Sequence, residues 1–203
     1  PSAGALSRTL SVGERARAYE RGGADLISVL CDQSYFDGSY EHLLEARAAC
    51  ALPLLCKEFV IDEAQLDAAR AYGAELVLLI VRCLTPPELE RLLLAAHERG
   101  LQCLVEVHAP SEVAPALAAG ARIIGVNARD LETLEVDHEQ AKCVLESLPD
   151  EVVKLHLSGL HTPEHVASIA RSSADGALIG ESLMRQDDPE PLLRRLVAAA
   201  KTS

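Results

Sequence analysis

The segment LLCKEFVID, residues 54–62, sets a lysine and a glutamate directly behind an apolar run. Charges are expensive to bury and normally sit in loops or on solvated helix faces, so Lys57 needs a reason for its place. It is either a snorkelling lysine with its head in water or a functional cation. CLVEVHAP carries Glu106 with valine on both sides, and a carboxylate inside a strand needs a function or a partner such as a buried ion pair. IIGVNARDLETLEVD ends its apolar run in Asn127 and Arg129, where Asn127 either meets a ligand or shapes the loop. VVKLHLSGL closes on Ser158 and Gly159, and GALIGESLMR on Gly180, Glu181 and Ser182. Such glycines make tight turns, and glycine-bearing ends on the last two strands of a parallel barrel are also the usual seat of a phosphate. His108, His156, His161 and His165 show no ligand spacing and read as structural or exposed.

These residues share one position in a repeated unit. Apolar runs recur at 26–30, 52–56, 76–81, 102–107, 122–126, 152–157 and 177–179, about 25 residues apart, with helical stretches between them. Runs that are apolar on both faces and alternate with helices indicate a parallel sheet covered by helices. TPPELERLLLAAHERG opens on Thr85 as N-cap, with Pro86 at the first helical position and Glu88 completing a capping box, and closes at Gly100. HTPEHVASIA repeats that opening with Thr162 and Pro163. Seven strands linked by helices predict an α/β fold, either a (βα) barrel or a doubly wound open sheet. The absence of Gly-x-Gly-x-x-Gly weakens the dinucleotide-binding version of the latter. A complete eight-stranded barrel takes about 250 residues, so this chain is about one unit short. In either fold chemistry sits at the carboxyl ends of the strands, which is where the residues above fall.

Composition agrees. The 203 residues, 49% hydrophobic, fit one domain over 1–203, with 3% aromatics and no Trp, so the core is built from Ala, Leu, Val and Ile. A formal charge of −12 argues against a nucleic-acid partner and against an anionic membrane surface. No apolar run approaches the roughly 20 residues of a spanning helix, and no secretory signal is visible. The six cysteines, Cys31, Cys50, Cys56, Cys83, Cys103 and Cys143, form no C-x-x-C pair. They read as free thiols in a reducing cytoplasm, with no metal site. The first residue is Pro1 and the only methionine is Met184, which fits either a removed initiator or a piece of a longer chain.

Six segments (SVLCDQSYFDGSYEHL, LLCKEFVID, LVLLIV, LVEVH, IGVNARDLETLEVD and LIGESLMR) resemble indole-3-glycerol phosphate synthase in order and spacing, over essentially the whole chain. That family is a tryptophan-pathway lyase on a TIM (βα)8 barrel. The resemblance implies ring closure, decarboxylation and dehydration of 1-(2-carboxyphenylamino)-1-deoxyribulose 5-phosphate, with no metal and no cofactor. It implies Lys57 as the general acid that protonates the substrate carbonyl, Glu106 as the proton-transfer group in dehydration, and Asn127 and Arg129 as substrate contacts. A cationic acid is useful where a developing alkoxide must be neutralised, and a dry wall sharpens its effect. Phe36, Phe59, Leu78 and Leu131 match apolar walls around the aromatic ring. Ser158, Gly159, Gly180 and Glu181 fall on the loops that hold or border the phosphate.

Two positions depart from the family pattern. Pro1 to Gly4 match a turn that a Glu-x-Lys pair on the first barrel strand normally precedes, and neither that pair nor that strand is in the sequence. Leu157 stands where the family motif E-S-G has its glutamate. The expected barrel therefore shows seven βα units with open edges, which invite self-association. The alternative function is a weakly active or inactive homologue that binds a sugar phosphate as a regulatory or scaffolding subunit.

Overall fold

A computed structural model describes residues 9–130 and 132–202 of the chain. Pro1 to Gly4 and Leu131 lie outside the described residues. Helix α1 (Val12–Gly22) leads to β1 (Ile27–Leu30), the short α2 (Gln33–Phe36), α3 (Glu41–Ala49) and β2 (Leu54–Lys57). Then come α4 (Glu63–Ala71), β3 (Leu76–Ile80), α5 (Pro86–Glu98), β4 (Gln102–Val107), α6 (Pro110–Ala118) and β5 (Ile123–Asn127). The chain continues through α7 (His138–Ser147), β6 (Val153–Leu157), α8 (Pro163–Ala170), β7 (Gly176–Leu178), the short α9 (Glu181–Met184) and α10 (Glu190–Lys201).

The seven strands form one parallel sheet in sequence order, each hydrogen-bonded only to its neighbours in the chain. The expected open edges are therefore present: among the described residues β1 and β7 each pair on one side only. The helices do not share that gap, because α1 packs on α10 as well as on α3. Arg15 of α1 reaches the far end of the chain, its guanidinium donating to the carbonyls of Leu183 (3.2 Å) and Gln186 (3.4 Å).

Strand alternation sorts the core into two shells. Cys56, Val77, Leu79, Val105, Ile124 and Val126 face the helices. Leu55, Leu78, Ile80 and Leu104 face inward, with Leu155, Leu178 and Phe59 packed on them. Each fully buried leucine contributes roughly 1.5–3 kcal/mol from area burial. Helix punctuation follows the sequence signals. The Thr85 N–H donates to Glu88 Oε2 at 2.8 Å ahead of Pro86, and the His165 N–H donates to Thr162 Oγ1 at 3.3 Å ahead of α8. Strand β2 starts later and ends later than its apolar run, because Pro53 has no N–H to give a ladder while the Lys57 carbonyl accepts from the Cys31 N–H at 3.0 Å. Cys31, Cys50, Cys56 and Cys103 are buried, Cys83 and Cys143 exposed, and all six are free. No helix among the described residues is long and apolar enough to cross a membrane.

Candidate active site

Register and alternation decide which side chains meet. Lys57 follows Leu55 on the inward face and stands beside Leu30 of β1. On the next strands inward, Ile80 is opposite Glu106, Glu106 opposite Gly125, and Asn127 opposite Leu157. Lys57, Leu78, Glu106, Asn127 and Leu157 therefore line one bowl at the carboxyl ends of the strands.

Glu106 is 4% exposed and has no ion-pair partner among the described residues. Its Oε1 accepts from Asn127 Nδ2 at 2.9 Å, and Asn127 Oδ1 in turn accepts the Arg129 N–H at 3.0 Å. The partner that Glu106 meets here is a neutral amide rather than a cation, in an apolar wall. Asn127 shapes the loop through its bond with the Arg129 N–H, and its side chain lies on the inward face beside Glu106. Its carbonyl is also tied down, by His108 Nδ1 at 2.8 Å. That nitrogen must carry its proton, since a carbonyl only accepts, while His108 Nε2 stands 3.2 Å from both Gln140 Nε2 and Asp130 Oδ2.

Lys57 is half-buried, and its Nζ lies 5.2 Å from the centroid of the Phe36 ring. That cation–π contact holds the ammonium at the rim without neutralising it. Phe36 lies parallel to Phe59 at 6.0 Å, and Tyr35 meets Phe59 edge-on at 5.2 Å. Tyr35 is a member of this aromatic wall that sequence reading missed; its only signal was its place beside Phe36. Glu58, next to Lys57, points the other way, and burial raises its carboxyl above the usual range, with Asp32 beside it.

The opposite rim is built by two loops. Arg129 pairs with Glu181 at 3.4 Å, joining the end of β5 to the start of α9, and its guanidinium also donates to the Leu134 carbonyl at 2.9 Å. Asp130 fixes that loop by accepting from the Thr133 and Glu132 N–H groups and from Arg82, which together hold its carboxyl well below the usual range. Ser158 and Gly159 are both left-handed, at φ 71° and 74°, and Gly180 stands at the N-cap of α9 facing open space. Leu157, 4% exposed, lays its side chain over Gly125, where a built Cβ would come within 2.6 Å of Leu157 Cδ1. The structure thus groups Lys57, Glu106, Asn127, Phe36, Phe59, Leu78 and Arg129 with the loops of Ser158–Gly159 and Gly180–Glu181. Leu131 falls outside the described residues.

A family model described as indole-3-glycerol phosphate synthase matches residues 1–196. The chain is 44% identical over 202 residues to a protein of that name from Micrococcus luteus, covering 100% of this chain and 75% of that one. It is 46% identical over 199 residues to the Kineococcus radiotolerans protein of the same name, covering 98% and 73%. The chain thus spans about three quarters of the length of these relatives. Among solved structures it is similar to 3-hexulose-6-phosphate synthase from Salmonella typhimurium, with TM-score 0.78, 15% identity, and 95% of both chains covered. It is similar too to thiamine phosphate pyrophosphorylase from Pyrococcus furiosus, with TM-score 0.76, 18% identity, and 96% and 92% covered. At such identities these two speak for the fold alone.

Proposed function

Because the chain belongs to the indole-3-glycerol phosphate synthase family, a carbon–carbon lyase family of tryptophan biosynthesis, we propose that its inward bowl performs that reaction with Lys57, Glu106 and Asn127. The observation that carries this reading is the convergence of one ammonium and one hydrogen-bonded carboxylate on the same inner face. They stand at opposite sides of a wall able to hold an aromatic ring.

In the proposed sequence the anthranilate ring lies against Phe36, Phe59 and Leu78, with Leu131 assigned to the same wall. The phosphate is held by the backbone at Ser158–Gly159 and Gly180–Glu181. The ring carbon bearing the carboxylate bonds to the ketone carbon while the ketone oxygen takes a proton from Lys57. Carbon dioxide then leaves and its bonding pair restores the aromatic ring. The Glu106 carboxylate then takes a proton from the neighbouring CH2, whose C–H pair forms the indole double bond, and passes that proton to the new hydroxyl, which leaves as water. Asn127 holds Glu106 in place for this step, and Arg129 supports the substrate from the loop. A preorganised acid in a dry wall acts with little reorganisation, which is where such sites gain most.

One observation favours a second reading, a homologue that binds a sugar phosphate without turning it over. Leu157 puts an apolar group over Gly125 where the family motif has a carboxylate. Purified protein supplied with the carboxyphenylamino-deoxyribulose phosphate and followed by indole fluorescence separates the two. Product formed by the parent and reduced at least 100-fold by Lys57→Ala is expected. Tight binding of a substrate analogue with no product from the parent would replace the lyase with the binding module.

A further inference from the structure

Four histidines run in file behind the loop that leaves β6. His156 lies on the helix-facing side of β6, is fully buried, and neither of its ring nitrogens has a hydrogen-bond partner. Its ring stacks on His138, the first residue of α7, with centroids 5.6 Å apart and planes 24° apart. His165 follows His138 at 6.1 Å, and His161 follows His165 at 6.5 Å. Among the described residues no three His, Cys, Asp or Glu side chains are grouped to hold a metal ion.

The file reaches the loop of Ser158 and Gly159 at His138. A Cβ built on Gly159 would lie 2.6 Å from His138 Cε1 and 3.1 Å from His138 Nε2. Only glycine, in its left-handed conformation, lets the loop lie this flat on the ring.

We propose that His138 is a positioning residue for the anion held by the Ser158–Gly159 loop, and that anion binding there draws a proton onto its imidazole. The proposal rests on the reading of that loop as a phosphate grip. The ring lies directly against Gly159 of the loop, and a dianion on the loop's N–H groups favours an imidazolium beside it. The groups that face His138 are Asp137 and Glu139 beside it, His156 on β6, His161 ahead of α8 and His165 in α8. Burial, then His165 and His161, lowers its pKa, while Asp137 and Glu139 pull it up. His156 does not share the added charge, because burial holds its own pKa down to about 4. The free protein therefore keeps His138 neutral near pH 7, and an anion tips the balance.

Sulfate is the probe, since its charge does not change across the pH range used. Binding to the whole chain is measured by calorimetry from about pH 8 to pH 5.5 at constant ionic strength, for the parent and for His138→Gln. The His138 ring resonances of the parent are titrated with and without saturating sulfate. The expected result is a rise of about one pH unit in the His138 midpoint on sulfate binding, with an affinity gain of roughly 5–10-fold on acidification that is lost in His138→Gln. Sulfate binding with the same pH slope in both proteins and an unmoved midpoint overturns the proposal while leaving the phosphate grip intact. No sulfate binding at any pH overturns both. The resonance titration uses only the parent, so it decides even if the variant folds poorly.

Discussion

His156→Leu offers a quantitative test of how this fold handles a buried imidazole. The ring is 0% exposed, both nitrogens are without partners, and burial, then His138, lowers its pKa from 6.5 to about 4. Because the folded-state pKa lies below the unfolded one, the unfolded chain binds the extra proton. Stability is therefore fully present above about pH 6.5 and falls as the pH drops towards about 4. At about 1.4 kcal/mol per pH unit, this residue alone removes about 2 kcal/mol at pH 5 and about 3 kcal/mol at pH 4. Leucine has a similar volume and no orphaned nitrogen, so near pH 7.5 the exchange should be close to neutral or mildly stabilising. Urea unfolding followed by circular dichroism at several pH values should show the two proteins together at pH 7.5 and the variant ahead by about 2 kcal/mol at pH 5. Parallel loss of stability in both proteins between pH 6.5 and 4 would refute the reasoning.

Two substitutions probe the bowl. Gly159→Ala forces a Cβ into His138 and Val136 at φ 74°; KM for the phosphorylated substrate is expected to rise at least 10-fold with far-ultraviolet circular dichroism unchanged, and an unchanged KM would remove the loop from the phosphate grip. Leu157→Glu places a carboxylate among Gly125, Leu104 and Asn127. It is expected to lower stability by roughly 1–3 kcal/mol while raising the rate of indole formation, and lost stability with no gain in rate would make position 157 a wall residue only.

The site was legible where it depended on alternation within one strand. Leu55, Lys57 and Phe59 share a face by parity alone, and Glu106 stood out because its neighbours are valines. The strand run and its helices were legible for the same reason, since each βα unit carries its own caps and glycine stops. What the chain order does not encode is register between strands. Whether Glu106 meets a cation or an amide depends on Asn127 arriving 21 residues later on the neighbouring strand, and it is the amide that arrives. The histidine file is farther from reach, because His138, His156, His161 and His165 come from a helix start, a strand and a loop–helix junction. Ligand spacing along the chain is the wrong measure for such a group. Tyr35 escaped notice because α2 is a single short turn with no periodicity to read.

The contact of α1 with α10 has a consequence for how the molecule assembles. Every strand pairing joins neighbours in the chain, so each step closes a short loop and the sheet can grow unit by unit. The bonds from Arg15 to Leu183 and Gln186 span 168 and 171 residues, and among the described residues no strand pair shares that span. Closing such a loop costs about 2 kcal/mol more chain entropy than closing one βα unit. The gain comes from the apolar cluster around Leu193 and Leu196 and from polar bonds such as Arg15–Leu183 and Arg21–Glu190, so by its span this clasp is expected to form after the sheet. Contact order is thus low throughout the sheet and concentrated at a single seam, which lies against α9, the helix that borders the proposed phosphate grip.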